Sequence, residues 1–269
     1  MRTHIIICVV TVVSLLKVKE EKAIAQIAYP YVREADVMWS KTIWRTIDLR
    51  EKFNFPLYYP TYDLPDRISL FRVIQKGILE EKITKIFSYD AFTNEFGPAM
   101  TKAEVQKAMT ETIEVRDSVG NVRADSLGNP ITMQDTISAD RIAQYWVKEE
   151  WFFDKQRSVM EVRIIGLAPV IEKEDPATDR FSYQPLFWLY YPDCRDYFSK
   201  HKCFNPYNDT QRVNFDQVFS KRLFGSFIRE ESNVYGRTIT SYAQGMDALL
   251  ESERIKENLL NFEEDLWHH

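Results

Sequence analysis

Cys194, His201 and Cys203 are the residues whose types could carry catalysis or bind a metal ion. A cysteine nucleophile needs a histidine base within hydrogen-bond distance, but the spacing of Cys194 and His201 along the chain does not establish such a pair. A structural zinc ion takes four ligands, with tight cysteine pairs such as C-x2-C, and only three candidate ligands are present. The sequence therefore predicts no catalytic site, no metal and no cofactor. A cysteine hydrolase using Cys194 and His201 stays open as an alternative.

Cys194 and Cys203 could instead form a disulfide if the protein is exported to an oxidising compartment. On one continuous helix their Cα atoms would stand about 13 Å apart, whereas a disulfide needs about 7 Å or less. A bridge thus requires a turn between the two cysteines, and the sequence leaves this possibility open.

Adjacent carboxylates occur at several places, but neighbouring side chains on a helix or strand point in different directions and do not face each other across a cleft. These pairs are Glu80-Glu81, Glu149-Glu150, Glu230-Glu231 and Glu263-Glu264. They indicate solvated surface rather than a glycosidase site. Glu149 is the exception, because strand alternation places it on the same face as Tyr145 and Trp151. We expect it to find a partner there, such as an arginine.

The segment from Asp36 to Pro60, DVMWSKTIWRTIDLREKFNFPLYYP, is dense in aromatic and basic residues. Most buried aromatic side chains pack in a core, but Trp, Tyr and Arg also dominate protein-binding hot spots. Exposed rings can also stack on sugars. The segment could therefore belong to the core, form a protein interface or bind a ligand, and the sequence does not decide among these three roles. The residues that we predict as a protein interface are Trp39, Trp44, Arg45, Arg50, Tyr58 and Tyr59.

The first 25 residues read as an export signal. Arg2 precedes the apolar run Ile5 to Leu16, which is too short to span a bilayer, and Ala23-Ile24-Ala25 is a small-x-small cleavage site. The charged residues between the run and the cleavage site depart from the usual pattern. The signal carries four basic and two acidic residues, so its removal takes the formal net charge from -5 to -7. This acidic balance disfavours nucleic acid as a partner.

The composition sets further limits. A chain of 269 residues with 45% hydrophobic content can bury one large core or two modest ones. Because it has only 8 glycines, loops that cradle phosphate by close backbone approach are not expected. A mean hydropathy of -0.37 describes a globular protein without a membrane span.

Caps and the helical spacing of apolar residues predict three helices in the N-terminal half. They begin at Asp36, within 63–66 and at Thr101, and the first carries an apolar stripe at Trp39, Ile43 and Ile47. The stretch at about 117–130 repeats an Asp-Ser-x-Gly-Asn pattern and is predicted to be an exposed, turn-rich excursion. Its acidic residues are too sparse for a calcium loop.

Period-two alternation predicts a long antiparallel hairpin at about 143–168, followed by a strand at about 185–191. Helices are then predicted at about Asp193 to Lys200, from the Asn214-x-x-Gln217 cap towards Phe227, and at about Ser241 to Leu266. Strands thus cluster in the middle and helices at both ends. This order predicts an α+β fold with a central antiparallel sheet. Because no stretch rich in proline, glycine and serine divides residues 26–269, they are expected to form a single α+β domain.

Several of these motifs together resemble the gliding-motility N proteins, called GldN or, in non-gliding relatives, PorN. The resemblance is carried by the segment from Asp36 to Pro60, by YWVKEEWFFDKQRSVMEVRIIGLAPVIE from Tyr145, by PLFWLYYPDCR from Pro185, and by Asn214 to Arg237. It extends from about Asp36 to the C-terminal helix.

The resemblance implies a non-enzymatic component of the type IX secretion machinery. Members of this family are exported to the periplasm and assemble with an outer-membrane lipoprotein, the K component, into a ring beneath the outer membrane. The resemblance also implies contact with the periplasmic part of the M component and with further copies of the chain. It assigns no catalytic residues. The alternative is a periplasmic module that binds peptidoglycan or another glycan through its aromatic surface.

Overall fold

The structure is a computed structural model that describes residues 29–90, 95–114, 123, 131–175, 180–205 and 213–267. The export signal predicted at 1–25 lies outside these residues, and so does the excursion at 117–130 apart from residue 123. Both stay predictions, as does the single domain over 26–269.

Twelve strands and six α-helices occur in the described residues. The strands are β1 (Val37–Asp48), β2 (Ile86–Tyr89), β3 (Phe96–Ala99), β4 (Thr110–Glu114), β5 (Thr132–Thr136), β6 (Ile142–Asp154), β7 (Val159–Asp175), β8 (Arg180–Pro185), β9 (Trp188–Tyr190), β10 (Lys202–Cys203), β11 (Val213–Asn214) and β12 (Phe227–Glu231). The α-helices are α1 (Phe55–Tyr58), α2 (Leu70–Leu79), α3 (Lys102–Ala108), α4 (Tyr191–Lys200), α5 (Phe215–Ser220) and α6 (Met246–Trp267).

A large antiparallel sheet forms the centre of the fold and confirms the predicted α+β class. Seven of its eight strands follow the order β12-β1-β6-β7-β9-β2-β3, and β8 pairs with β7. β10 with β11 and β4 with β5 make two separate two-stranded sheets. The order places β12 at one edge of the large sheet and β3 at the other.

The helix predicted from Asp36 is wrong, because the same residues form β1. This strand pairs with β6 along most of its length and with β12 on its other side. Its β-branched and aromatic residues fit a pleated surface, and the two ladders satisfy its backbone groups. Trp39, Ile43 and Ile47 lie four positions apart, a spacing that shares one face on a strand as well as on a helix.

β6 and β7 form the predicted long hairpin. The register shifts between Lys148 and Glu149, where β7 contributes an extra residue before Gly166. A Cβ atom on Gly166 would lie 2.6 Å from the ring of Phe96 and 3.0 Å from Trp188. Glycine therefore lets these two rings pack directly on the bent part of β7. The strand predicted at 185–191 divides into the end of β8 and the short β9.

The predicted capping boxes are confirmed at Thr101 with Glu104 and at Asn214 with Gln217. Three helix boundaries differ from the prediction. α2 begins at Leu70 rather than within 63–66, α5 ends at Ser220 rather than continuing to 227, and α6 begins at Met246 rather than near 241. Arg222 has a φ of 54°, so the chain leaves the helical path after α5 and turns into β12.

The apolar residues form three clusters. The largest packs α1 to α5 against one face of the sheet. A smaller cluster joins α6 to that face through Ile255 and Leu259. The third contains Trp44, Trp146 and Trp188 and lies under the aromatic residues of β2 and β3. Within the described residues, no helix has the length and apolar character that crossing a bilayer would require.

Candidate contact site

Some of the predicted interface residues lie in the core of the protein and others lie on its surface. Trp44 and Arg45 are buried, at 5% and 7% exposure. Trp44 packs with Trp146 and Trp188, and the ammonium of Lys148 lies 5.2 Å from its ring centroid. Neither Trp44 nor Arg45 is available to a partner on the surface, because other side chains cover both of them on the faces of the sheet.

Arg45 belongs to a buried charge cluster around Glu149, which is fully buried. The Glu149 carboxylate accepts hydrogen bonds from Arg45 Nε at 3.1 Å, Arg222 Nη2 at 2.7 Å and Trp151 Nε1 at 3.0 Å. This confirms the expectation that Glu149 finds an arginine. Burial lowers the pKa of Arg45, and the neighbouring Glu149 opposes that shift. The cluster joins β1, β6 and the turn after α5, which is a structural role.

Trp39 is half-buried and holds the C-terminal helix against the sheet. Its ring centroid lies 4.7 Å from that of Phe262 in α6. Trp39 therefore takes part in packing, although part of its surface stays accessible.

Exposed rings follow β1 in the rest of the aromatic segment and just beyond it, and we call them the aromatic surface: Phe53, Phe55, Tyr59 and Tyr62. Their exposed fractions are 45%, 36%, 49% and 70%. The ring centroid of Tyr59 lies 5.4 Å from that of Phe55 and 4.8 Å from that of half-buried Tyr58, both with edge-to-face geometry. These contacts hold the rings in a defined arrangement while leaving their outer faces open.

Two residues hold the aromatic surface on the protein. Leu57, the interior residue of α1, is 1% exposed and packs in the largest cluster. Asn54 is fully buried and donates to the carbonyls of Asp48 at 2.7 Å and Gly225 at 3.0 Å, while its Oδ1 accepts from Gly225 N at 2.8 Å. The role of Asn54 is not predicted from the sequence, where its only sign is a single amide residue between Phe53 and Phe55.

Arg50 lies between the buried and exposed parts and is itself exposed. It donates to the Asp48 carboxylate at 3.0 and 2.8 Å and to the Tyr183 hydroxyl at 2.8 Å. Burial raises the pKa of Asp48, but the hydrogen bonds from the Arg50 side chain and backbone lower it by more, so that the net pKa is lowered. The guanidinium is thus already oriented on the surface.

The residues considered for chemistry lie in different surroundings. Cys194 is buried and donates to the Tyr190 carbonyl at 3.4 Å, and burial raises its pKa. Burial raises the pKa of Cys203 to about 12, and its thiol donates to the Pro56 carbonyl at 3.1 Å. His201 packs on Tyr197, and burial lowers its pKa. Both cysteines are free thiols in this structure, each with its own backbone partner.

The described residues contain no cluster of three or more histidine, cysteine or acidic side chains that could hold a metal ion. The aromatic surface instead offers ring faces and tyrosine hydroxyls, with an oriented guanidinium nearby. Such groups bury large apolar areas at a low cost in side-chain entropy, and they are typical of protein-binding hot spots.

Comparison with known families finds a match over most of the chain. The model of a family described as "Gliding motility associated protein GldN" matches residues 32–268. A comparison with curated proteins finds no match. The matched range includes β1, the aromatic surface, the central hairpin and α6.

Proposed function

The chain belongs to the GldN family of gliding-motility proteins, a component family of the type IX secretion machinery, and we propose that it is a non-enzymatic structural subunit of a periplasmic ring. In this proposal the mature chain lies beneath the outer membrane and binds a K-type lipoprotein. Further copies of the chain and the periplasmic region of the M component are its other partners.

The aromatic surface is the observation that carries the proposal. Phe53, Phe55, Tyr59 and Tyr62 are exposed after a strand whose own aromatic residues are buried (Trp44) or half-buried (Trp39). Leu57 and Asn54 fix the backbone next to Phe53, Phe55 and Tyr59, so little order has to be gained there on binding. Preorganised aromatic rings favour a tight and specific protein contact. We assign this surface to the K-type lipoprotein.

The buried state of the thiols supports a structural rather than a catalytic role. A nucleophilic cysteine acts as the thiolate and needs a lowered pKa and access to substrate. Cys194 is fully buried, and its pKa is raised. The cysteine-hydrolase alternative therefore lacks the environment that its chemistry requires.

Binding of the purified K-type lipoprotein to the mature chain tests the proposal. We expect Tyr59→Ser combined with Tyr62→Ser to weaken the dissociation constant at least about tenfold, because truncating hot-spot tyrosines commonly costs more than 1.4 kcal/mol. The matched control combines Tyr31→Ser with Phe181→Ser, two rings that are 90% and 62% exposed elsewhere on the protein. Equal lipoprotein affinity of both double variants would contradict the assignment of the aromatic surface to the lipoprotein.

Glycan binding is the second candidate, since exposed rings such as Tyr59 and Tyr62 can stack on sugars. Isothermal titration with soluble peptidoglycan fragments separates the two candidates. Heat release that disappears in the Tyr59→Ser, Tyr62→Ser variant would favour the glycan. The structural proposal expects no saturable binding of these fragments.

A further inference from the structure

Arg229 of β12 lies at an irregular position on the edge of the large sheet. The register between β1 and β12 shifts there, so that Arg229 is an extra residue between the pairs that Ile228 and Glu230 form with β1. Such β-bulges are common at sheet edges, where they redirect a side chain, often next to a functional site. The guanidinium carbon of Arg229 lies 3.6 Å from the ring centroid of Trp146 in β6. The side chain therefore crosses β1, which separates β12 from β6 in the sheet.

Two nitrogens of the Arg229 guanidinium lack an acceptor. Nε and Nη2 are buried without a hydrogen-bond partner, and Arg229 forms no ion pair within the described part of the chain. Stacking on Trp146 occupies only a face of the guanidinium, whereas its N–H groups point outward in the plane of the group. The stack therefore does not replace the missing hydrogen bonds, although buried donors in folded proteins nearly always have an acceptor.

Two other cations that pack on this sheet show what Arg229 lacks. Arg45 donates to the buried carboxylate of Glu149 at 3.1 Å, and Lys148 donates to Glu95 at 3.0 Å. Each of these positive charges has a carboxylate at hydrogen-bond distance. Among the described residues, none occupies the corresponding place beside Arg229.

The charge of Arg229 is costly where it lies. Burial lowers its pKa, and the nearby Tyr89 and Glu230 oppose this shift only in part. Neither of them accepts a hydrogen bond from Nε or Nη2. A buried charge without a hydrogen-bonded partner destabilises the folded state, and a bound anion would remove that cost.

A second donor without an acceptor lies in the same aromatic cluster. Trp44 pairs with Glu230 across β1 and β12 and packs with Trp146, and its Nε1 is buried without a hydrogen-bond partner. Both unpartnered groups are donors, so the missing group is an acceptor. A guanidinium matches the paired oxygens of a carboxylate or a phosphate. Arg229 as a whole is only half-buried, so a ligand can reach part of its side chain from solvent.

We propose that Arg229 binds an oxyanion, a carboxylate or phosphate group, at the β12 edge of the sheet, with Trp146 supporting the guanidinium from below. This site does not depend on the ring function proposed above. It also lies apart from the aromatic surface, so loss of anion binding and loss of lipoprotein binding are distinct outcomes.

Thermal unfolding of the mature chain in sodium acetate or sodium phosphate, compared with sodium chloride at equal ionic strength, is the first test. An anion that binds only the folded state raises the unfolding temperature by mass action. We expect a saturable rise for the unaltered chain that is lost in Arg229→Met, and the salt that produces it identifies the anion. Phosphate also stabilises proteins by exclusion from their surface, and the variant measures that contribution. No rise, or an equal rise in both proteins, would overturn the proposal.

Arg237→Met is the matched control. The Arg237 guanidinium carbon likewise stacks on an aromatic ring, 4.3 Å from the centroid of Tyr235, but Arg237 is exposed and its N–H groups are open to water. This variant should keep the full response to the anion. A response lost equally in Arg237→Met and Arg229→Met would contradict a specific site at Arg229.

Arg229→Lys tests the geometry in a chain that keeps the positive charge. A lysine ammonium does not present the two parallel N–H groups of a guanidinium, so we expect the anion to bind at least about tenfold more weakly. NMR titration of the Arg229 Nε–H signal gives the dissociation constant for the unaltered chain, and the shift in unfolding temperature compares the two proteins. Affinity unchanged by this substitution would overturn the proposed binding residue.

Discussion

Two neighbouring segments that both carry aromatic and basic residues have opposite environments in this protein. In β1, Trp44 and Arg45 are buried. In the aromatic surface that follows, Phe53, Tyr59 and Tyr62 are open to solvent. The difference arises from what covers each side chain. Trp44 packs with Trp146 and Trp188, and Arg45 pairs with buried Glu149. In the later segment Leu57 and Asn54 are buried, whereas the rings around them keep exposed surface. Aromatic density therefore does not distinguish packing from recognition.

The comparison predicts that changes in β1 act on stability, whereas changes in the aromatic surface act on binding. Trp44→Ala gives the largest expected effect. It should lower the free energy of unfolding by about 3–5 kcal/mol, because a fully packed ring is lost and a cavity remains. Urea denaturation followed by tryptophan fluorescence or circular dichroism measures this change.

Tyr62→Ala is the reference for that measurement. Its side chain is 70% exposed, so the free energy of unfolding should change by no more than about 0.5 kcal/mol. Equal destabilisation by Trp44→Ala and Tyr62→Ala would contradict the prediction that β1 acts on stability and the aromatic surface on binding.

Arg45→Met should give the next largest decrease in the free energy of unfolding. It removes one partner of the buried Glu149 carboxylate, and breaking a buried pair costs about 3–5 kcal/mol. We expect a value near the lower end, because Arg222 and Trp151 still donate to Glu149. Thermal and urea unfolding measure it.

Arg33→Met is the matched control for this prediction, since the ion pair of Arg33 in the described residues is with Asp36 and the Arg33 side chain is 65% exposed. Its effect should stay within about 0.5 kcal/mol. A small effect of Arg45→Met as well would mean that the Glu149 cluster contributes little to stability.

Arg50→Ala should lower the free energy of unfolding by less than Trp44→Ala or Arg45→Met, below about 1 kcal/mol, because the Arg50 side chain is 62% exposed. The Asp48 pKa is lowered in the folded protein, so this contribution is present above the unfolded pKa and is lost as pH falls through the folded pKa. The substitution should raise the Asp48 pKa and reduce the loss of stability on acidification. Carboxyl NMR titration measures the pKa, and an unchanged value would show that Arg50 does not set it.

The sequence predicted the central hairpin because its period-two pattern is sustained over many residues and the faces of a strand alternate strictly. It predicted both capping boxes because their hydrogen bonds are local. It assigned a helix to β1 because residues four apart share a face in either structure. Only the pairing of β1 with β6 and β12, which lie far along the chain, resolves that ambiguity.

Contacts with distant parts of the chain also determine which residues form the contact site, and the sequence does not show those contacts. Six residues were predicted to form a protein interface. Accessible surface remains on Arg50, Tyr58 and Tyr59, whereas Trp44 and Arg45 are buried. Asn54 escaped notice because its role depends on the backbone of Gly225, a residue distant in sequence. The partner of Glu149 was expected to be an arginine, but the sequence could not identify Arg45 and Arg222.

The sequence by itself determined the α+β class, the family resemblance, the hairpin and the local caps, since each depends on residue types at short spacing. The tertiary structure alone decided which aromatic rings face a core and which face solvent. Burial depends on the strands and helices that pack against a residue, and these come from distant parts of the chain. For that reason the exposed tyrosines and the arginine partners of Glu149 became visible only in the folded protein.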